Sequence, residues 1–262
     1  MDLGLQGRRA LVCASTGGLG EAVVRALAAE GAHVLVSGRR RDRARAIADE
    51  LNEAGPGNAT AVECDLSEAD GPRRLHEAAV NKLGGVDVLV LNGPGPKPSS
   101  ADAASWPDAE RALEVLVRPH LELIQATLPG MRERRWGRIL AVGSSGVVAP
   151  LPNLAMSNLG RSALAGYLKT LASEVAADGV TVNMLLPGRI ATDRVAQLDA
   201  AAADREGRTQ EEVSAESRAT IPAQRYGDPE EFGSVAAFLC SSPASYVNGT
   251  AVRCDGGLVR SL

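Results

Sequence analysis

Short apolar runs alternate with longer amphipathic stretches along the whole chain. Each run is bounded by Gly, Pro or Asp and is almost continuously apolar, as expected of strands buried on both faces of a parallel sheet. We expect seven strands, at residues 10–14, 33–37, 60–64, 86–91, 138–142, 180–186 and 250–254. Because a helical pattern separates the strands, the sequence predicts a doubly wound α/β fold with helices on both faces.

Two of the predicted helices carry clear start signals. Ser67, followed three residues later by Asp70, resembles a capping box, and the helix behind it ends near Leu83, before a pair of glycines. Asp228 precedes Pro229 and two acidic residues, the usual order of an N-cap, a first-turn proline and first-turn acids. The second signal predicts a helix that extends to about residue 240.

Two stretches interrupt the alternation. A proline-rich loop at 93–100 follows the fourth predicted strand, and a polar, alanine-rich insertion at about 191–224 follows the sixth. Open α/β sheets bind ligands at the carboxyl ends of their strands, so we expect the insertion to form a mobile lid over a substrate. The alternative is a disordered linker.

Composition and charge narrow the class of protein. With 262 residues and 45% hydrophobic content, the chain can build one sizeable core, and no segment demands a second domain. A formal net charge of −4 with scattered arginines argues against a nucleic-acid partner. The first apolar run is too short for a signal sequence or a membrane span, so we expect a cytoplasmic protein. The four cysteines lie far apart, as reduced core residues do, and neither they nor the three histidines suggest a metal site.

The first strand leads into a glycine-rich turn that opens the first helix. Backbone N–H groups of such a turn, together with the helix dipole, can meet a pyrophosphate because no side chains block the approach. We therefore assign cofactor contacts to five residues of this turn: Ser15, Thr16, Gly18, Leu19 and Gly20.

The end of the second strand indicates the preferred nucleotide. An NAD site needs a carboxylate there for the ribose hydroxyls, whereas the 2′-phosphate of NADP needs cations. Ser37 and Gly38 provide no acid, and Arg39 and Arg40 follow at once. We expect NADP(H), with Arg39 as the first phosphate ligand because a guanidinium pairs bidentately with phosphate. The alternative is a solvated helix start.

The glycine-rich turn resembles that of the short-chain dehydrogenase/reductase family, which usually reads Thr-Gly-x-x-x-Gly-x-Gly. Gly18 and Gly20 match the later glycines, while Cys13 and Ala14 replace the threonine and the first glycine. Alanine fits there if its φ stays negative. The resemblance extends to an Asp-Gly-Gly motif at 255–257, and it implies that residues 1–262 form one NADP-binding domain of the Rossmann type.

The resemblance implies further contacts to the cofactor. Asp65 and Leu66 stand where the family contacts the adenine, with the Asp65 carboxylate accepting the exocyclic amine. Asn92 is retained from the family's Asn-Asn-Ala-Gly motif. Four residues match or flank the Pro-Gly motif beside the nicotinamide carboxamide: Pro187, Gly188, Ile190 and Thr192.

The catalytic group that the resemblance implies is largely replaced. Family members use a serine, a tyrosine about thirteen positions later, a lysine four residues after it, and an asparagine on the preceding helix. These positions hold Ser144, Ser157, Arg161 and Leu116 in this chain. Ser157 and Arg161 lie at the N-terminal end of a buried helix face, so we expect Arg161 to hold an anion. The alternatives are a structural or surface charge for Arg161 and a hydroxyl bonded back to its helix for Ser157.

This replacement limits the chemistry. Arginine stays protonated and a serine hydroxyl is far less acidic than a phenol, so the family's proton transfer cannot be copied residue for residue. Ser144 and Ser157 could instead hydrogen-bond a carbonyl, with Arg161 stabilising developing charge and water supplying the proton. We therefore expect an NADP(H)-dependent oxidoreductase, similar to 3-oxoacyl-(acyl-carrier-protein) reductases, that interconverts a small-molecule ketone or 3-oxoacyl thioester and its alcohol. The alternatives are a non-redox isomerase, lyase or cyclase, and a catalytically silent nucleotide-binding regulator.

Three further expectations concern the surroundings of the site. Lys97 is expected to be a solvated loop residue, and His120 a packed or surface histidine rather than an acid. The resemblance implies a homodimer or homotetramer, formed through the later helices and the C-terminal segment.

Overall fold

All seven apolar runs form strands in the computed structural model, which describes residues 1–261. The strands are β1 (Arg9–Val12), β2 (His33–Gly38), β3 (Asn58–Glu63), β4 (Val88–Leu91), β5 (Gly137–Val142), β6 (Val180–Pro187) and β7 (Ala251–Cys254). They form one sheet in the order β3-β2-β1-β4-β5-β6-β7, and every pair is parallel. The prediction of a doubly wound parallel sheet is confirmed.

Helices connect the strands on both faces of the sheet. The α-helices are α1 (Gly18–Ala29), α2 (Arg41–Ala54), α3 (Gly71–Leu83), α4 (Trp106–Leu116), α5 (Arg118–Glu133), α6 (Ala155–Val175), α7 (Asp193–Glu206), α8 (Gln210–Thr220) and α9 (Pro229–Leu239). A break at Val117, where φ is −119°, separates Leu116 at the end of α4 from His120 in the first turn of α5. Pro119 lies in the first turn of α5, where its missing N–H costs no hydrogen bond.

The two predicted helix starts had different outcomes. Asp228 caps α9 in a capping box with Glu231, as expected. The capping role of Ser67 was wrong, because α3 begins after Asp70. Both the N–H and the hydroxyl of Ser67 instead donate to the Asp65 carboxylate, at 2.9 and 2.7 Å. The predicted end of α3 is correct, and Gly84 follows it in the left-handed conformation.

Alternate residues of the strands supply two hydrophobic cores, one on each face of the sheet. On one face, Val12 and Val34 pack with Leu27 of α1 and Phe232 of α9. Leu11 points to the other face, into a core shared with α3, α5 and α6. Burial on both faces explains why the strands read as continuous apolar runs.

The insertion folds into the helices α7 and α8 rather than a disordered linker. Asp199 of α7 is buried, and its carboxylate accepts hydrogen bonds from Arg189 at 3.0 Å and from the Tyr226 hydroxyl at 2.8 Å. These bonds anchor the insertion to the segments on either side of it. Its role as a mobile lid stays a prediction.

The described residues include no helix that is long and apolar enough to cross a membrane. Cys13, Cys64 and Cys240 are free and buried, as expected. Burial raises the pKa of the Cys13 and Cys240 thiols to about 12, so neither provides a thiolate at neutral pH.

Candidate active site

The sequence-predicted site residues gather at the carboxyl edge of the sheet. The strand order changes direction between β1 and β4, which are neighbours although β2 and β3 intervene in the chain. The glycine-rich turn follows β1, Asn92 follows β4, and Ser144 follows β5. Such a reversal opens a crevice at the carboxyl edge, which is where sheets of this kind bind ligands.

Gly20 is the most constrained residue of the glycine-rich turn. A Cβ at this position would lie 2.5 Å from the Ala14 carbonyl oxygen, 2.7 Å from Nδ2 of Asn92 and 2.9 Å from Cα of Ser15. Two of these three atoms belong to the backbone and cannot move aside without shifting the turn. The N-terminus of α1 therefore stays close to β1 and β4 only because residue 20 has no side chain.

The expectation of a negative φ at Ala14 was wrong. The φ of Ala14 is +47°, in the left-handed region that costs an L-residue about 1–2 kcal/mol. Asn92 holds the strained backbone, since its Nδ2 donates to the Ala14 carbonyl at 3.1 Å. Ala14 thus keeps the conformation of a glycine without being one, and the Asn92 amide braces the turn.

Ser15 and Thr16 are buried rather than presented to the crevice. The Ser15 N–H donates to the Ser37 carbonyl at 2.7 Å, and its hydroxyl donates to the Val12 carbonyl at 2.9 Å. Ser15 thus fastens the turn to β1 and β2, and its predicted contact with a cofactor stays a prediction. Thr16 packs against Gly38, where a Cβ would lie 2.8 Å from its side chain.

The remaining turn residues differ in exposure. Leu19 packs against the core, whereas Gly18 is exposed and has a φ of +54°. Thr192 lies beside Gly18, with its Cγ2 3.8 Å from the position of a Cβ. The turn after β1 and the segment after β6 therefore meet across the crevice.

Two adjacent arginines follow β2, and they take different positions. Arg40 folds over the turn and donates to the Thr16 carbonyl at 2.5 Å. Arg39 is exposed and makes no hydrogen bond within residues 1–261. Hydrogen bonds from Ser67 lower the pKa of the nearby Asp65 carboxyl, and the Arg39 charge lowers it further. Arg39 is thus the free cation at this corner.

Asp65 and Leu66 follow β3 at the same corner, and both are half-buried. One carboxylate oxygen of Asp65 accepts both hydrogen bonds from Ser67. The second oxygen makes no hydrogen bond within residues 1–261. Its predicted contact with an adenine amine stays a prediction.

The predicted cofactor residues at the end of β6 contribute mainly through their backbone atoms and their packing. Gly188 donates to the Cys254 carbonyl at 2.9 Å and leaves no room for a Cβ, which would lie 2.6 Å from Cα of Asp255. Pro187 ends β6, and Ile190 is buried in the core. Thr192 precedes α7 but forms no side-chain cap, so the first N–H groups of α7 have no such partner.

Ser144 follows β5, and its hydroxyl hydrogen has no acceptor within residues 1–261. Its hydroxyl oxygen accepts a hydrogen bond from the Gly146 N–H at 3.1 Å. Because this bond occupies a lone pair, the O–H of Ser144 stays available as a donor. Ser144 is half-buried, and its predicted contact with a carbonyl stays a prediction.

Arg161 reaches the end of β5 without a counter-ion. Its Nη1 donates to the carbonyl of Val142, the last residue of β5, at 2.8 Å. No Asp or Glu oxygen of residues 1–261 lies within 4.0 Å of its guanidinium, so the alternative of a structural salt bridge is wrong. Burial lowers the pKa of Arg161 to about 10, with a smaller contribution from Arg194, and the side chain is charged at neutral pH.

Ser157 lies one helical turn before Arg161 on α6, and its hydroxyl makes no hydrogen bond within residues 1–261. It is half-buried, whereas Leu164, Leu168 and Val175 on the same helix are buried. The prediction of a buried face on this helix is confirmed, and the place of Ser157 at the crevice stays a prediction. The alternative of a hydroxyl bonded back to its own helix is not what the structure contains.

Two further residues belong to the crevice. His120 is buried, its Nδ1 lies 2.9 Å from the Leu116 carbonyl, and its Nε2 has no partner. Burial lowers the pKa of His120 to about 4, so the ring is neutral and cannot serve as an acid near pH 7. Arg194, in the first turn of α7, was missed. A cation is unfavourable at the N-terminus of a helix, and this misfit was the available signal.

Comparison with known proteins identifies the family. A family model described as enoyl-(acyl carrier protein) reductase matches residues 13–259. The chain belongs to the short-chain dehydrogenase/reductase family. The resemblance expected from the turn is thus confirmed, and with it an oxidoreductase class of enzyme.

Relatives of this family align over the full length of the chain. It is 34% identical over 260 residues to a 3-oxoacyl-(acyl-carrier-protein) reductase FabG of Aquifex aeolicus, covering 98% of this chain and 100% of that protein. It is 36% identical to dehydrogenase/reductase SDR family member 4 of Sus scrofa, covering 98% and 89%. A solved L-sorbose reductase of Gluconobacter frateurii, in complex with NADPH and L-sorbose, is 30% identical, with a TM-score of 0.94 and full coverage of both chains.

The assignment of Ser157, Arg161 and Leu116 to the family's catalytic tyrosine, lysine and asparagine stays a prediction. Leu116 is a buried apolar residue. Within residues 1–261, no cluster of three His, Cys, Asp or Glu side chains is arranged to hold a metal ion. The predicted catalytic positions Ser144, Ser157 and Arg161 thus provide two serine hydroxyls and one guanidinium.

Proposed function

We propose that this protein is an NADP(H)-dependent carbonyl reductase that uses Ser144 and Arg161 in place of the family's serine, tyrosine and lysine. The observation that carries the proposal is an unpaired, charged Arg161 bonded to the Val142 carbonyl, two residues before Ser144 with its free hydroxyl hydrogen. A carbonyl oxygen that gains negative charge needs a hydrogen-bond donor and a positive charge, and these two groups supply both.

The residues of the crevice fit a phosphorylated dinucleotide. The turn around Gly20 has no space for a side chain, which suits the close approach of a pyrophosphate. The end of β2 provides Arg39 and Arg40 and no carboxylate, so it suits a 2′-phosphate rather than a free ribose hydroxyl. Arg39 would pair with the phosphate, Arg40 would support it from the turn, and Asp65 would accept the adenine amine. The NADPH complex of the sorbose reductase supports this choice of cofactor.

The chemistry needs a hydride, a stabilised oxygen and a proton. NADPH, when bound, supplies the hydride to the carbonyl carbon. The Ser144 O–H donates a hydrogen bond to the carbonyl oxygen, and Arg161 offsets the charge that develops on it as the C=O π bond breaks. Arginine does not release its proton, so a water molecule protonates the alkoxide and completes the alcohol. Ser157 is placed to hold that water or the carbonyl. The expected cost of lacking a positioned acid is about 10²–10⁴-fold in rate.

The test combines nucleotide binding with turnover. We expect NADPH to bind, as measured by its fluorescence, and to be oxidised in the presence of a panel of ketones and 3-oxoacyl thioesters. Arg161→Gln should lower kcat about 10²–10³-fold without preventing NADPH binding. Arg205→Gln is the matched control, because Arg205 is exposed on α7 and pairs only with its neighbour Glu206. Its kcat should stay within about twofold of the wild type.

The other outcomes separate the alternative functions. NADPH binding without oxidation, together with product formation that involves no redox change, would favour an isomerase, lyase or cyclase. Binding without any turnover would favour a regulatory module. No binding of NADPH would contradict the proposal at its first step.

We further propose that the protein forms a homodimer or homotetramer, as its family generally does. Phe238 at the end of α9 and Tyr246 close behind it are exposed although both are large and apolar, which supports an interface at these later elements. Light scattering coupled to size-exclusion chromatography should give a mass of two or four chains. A monomer would contradict it.

A further inference from the structure

Two arginines at the crevice differ from most arginines of the helix surfaces. Surface arginines such as Arg25, Arg118 and Arg225 form salt bridges with acidic side chains at 2.5–2.7 Å. Neither Arg161 nor Arg194 has an Asp or Glu oxygen within 4.0 Å among residues 1–261. Because a desolvated charge is costly without a partner, Arg161 indicates that a ligand brings a negative charge to the crevice, and the exposed Arg194 is open to a second one.

The side chain of Arg194 is directed towards the loop that follows β4. Its Nη2 lies 3.4 Å from the Pro96 carbonyl and 3.9 Å from the position of a Cβ on Gly95. Arg194 therefore connects the insertion to the proline-rich loop and places its guanidinium between them. The positive charge of Arg194 also contributes to the lowered pKa of Arg161, so the two cations lie close enough to repel each other.

The negative charges of the proposed reaction can each be assigned to a different cation of the crevice. Reduction of a carbonyl creates one negative charge, on the oxygen next to Ser144, and Arg161 is the cation beside it. The phosphates of the nucleotide have Arg39, Arg40 and the N-terminus of α1 at another part of the crevice. Arg194, which is exposed, remains available for a negative charge that a substrate would carry throughout the reaction.

We propose that Arg194 forms, with the loop at 93–98, a subsite for a substrate carboxylate, so that the protein acts on oxo acids. This proposal rests on the proposed carbonyl reductase function. A carboxylate suits the site because a guanidinium can donate two parallel hydrogen bonds to it. Binding the carboxylate at Arg194 would present the carbonyl to Ser144 and would connect the insertion to the loop through the substrate.

The test uses substrates that differ only in charge: 2-oxo-4-phenylbutanoate and 4-oxopentanoate, each compared with its methyl ester. For at least one acid, we expect a KM about tenfold or more below that of its ester, and this difference should shrink as salt is added. Arg194→Gln should raise the KM of that acid about tenfold, change that of the ester less than about threefold, and leave kcat nearly unchanged. Arg205→Gln, on the same helix, is the matched control.

A binding measurement separates the subsite from the proposed reaction. Calorimetric titration of the two oxo acids into the protein, alone and saturated with NADP⁺, needs no turnover. Binding of an acid but not its ester, lost in Arg194→Gln, supports the subsite even if no carbonyl is ever reduced. Equal affinity for acid and ester, or no binding of either acid, would overturn it while leaving the reductase function intact. If Arg194→Gln instead weakens NADPH and affects acid and ester alike, Arg194 belongs to the cofactor site and the proposal is wrong.

Discussion

A single methyl group at Gly20 should disable nucleotide binding. In Gly20→Ala, the new Cβ would lie 2.5 Å from the Ala14 carbonyl oxygen, where ordinary contacts begin at 3.4 Å. Ala14 cannot yield easily, because its φ of +47° is already strained and Asn92 holds its carbonyl. The N-terminus of α1 must therefore move away from β1, and the backbone N–H groups of the turn move with it.

The size of the effect follows from the groups that are displaced. Overpacking of this kind costs about 1–3 kcal/mol, which should lower the Tm by about 2–4 °C for each kcal/mol. A hydrogen bond to a charged phosphate contributes about 1.5–3 kcal/mol, so each one lost should raise the Kd for NADPH about 10- to 150-fold. We expect the displaced turn to lose at least one.

Gly17→Ala is the matched control for this experiment. Gly17 is extended, with a φ of 174°, so alanine fits its backbone without strain. A Cβ there would meet only the end of the Arg40 side chain, at 2.6 Å, and a flexible side chain can move. The Kd of Gly17→Ala for NADPH should rise much less than that of Gly20→Ala, because only the Arg40 side chain and its bond to the Thr16 carbonyl are disturbed while the backbone N–H groups of the turn stay in place.

Fluorescence titration with NADPH and thermal melts of the three proteins provide the measurements. The reasoning would be refuted if Gly20→Ala bound NADPH as tightly as the wild type and melted at the same temperature. Equal losses in Gly17→Ala and Gly20→Ala would also contradict it, since the turn would then be sensitive to any methyl group.

Three other predictions concern stability. Ala14→Gly should raise the free energy of unfolding by about 0.5–1 kcal/mol in urea titrations, because relief of the left-handed strain exceeds the entropy that glycine adds to the unfolded chain; a destabilised variant would contradict this. The pKa of His120 is about 4 in the folded protein and about 6.5 in the unfolded chain, so the unfolded chain binds the proton first as the pH falls. The free energy of unfolding should therefore fall by about 3 kcal/mol as the pH drops from 6.5 to 4. His120→Gln should lack that part of the pH dependence, and an unchanged profile would count against the burial argument. Asp199→Asn weakens the hydrogen bonds to Arg189 and Tyr226, so amide hydrogen exchange in 193–220 should accelerate about tenfold while β4 and β5 exchange as before. Faster exchange in all elements would mean that the insertion does not open as an independent unit.

Much of the fold could be predicted because its signals are local. A strand buried on both faces must be apolar at successive positions, so all seven strands could be located from runs of a few residues. The Asp228 capping box was recognisable for the same reason, since its partners lie within one turn. The Ser67 prediction failed because a second partner, Asp65, was equally near in sequence and formed the bonds instead. Local spacing could not decide between the two.

The candidate site was predicted in part. Family spacing placed Ser144, Ser157 and Arg161 at the crevice, and the structure brings Arg161 to the end of β5. The sequence could not reveal that Arg161 lacks a counter-ion or that the insertion folds back and places Arg194 against the proline-rich loop. Both properties depend on contacts between segments that lie far apart in the chain.

The amino-acid sequence by itself determined the order of the strands along the chain and the burial of their side chains. Only the tertiary structure decided the left-handed backbone of Ala14, the inward bonds of Ser15 and the two unpaired arginines. The physical reason is that periodicity and capping depend on neighbours within a few residues. Strain, hydrogen-bond partners and uncompensated charge depend on which distant segments the sheet brings together.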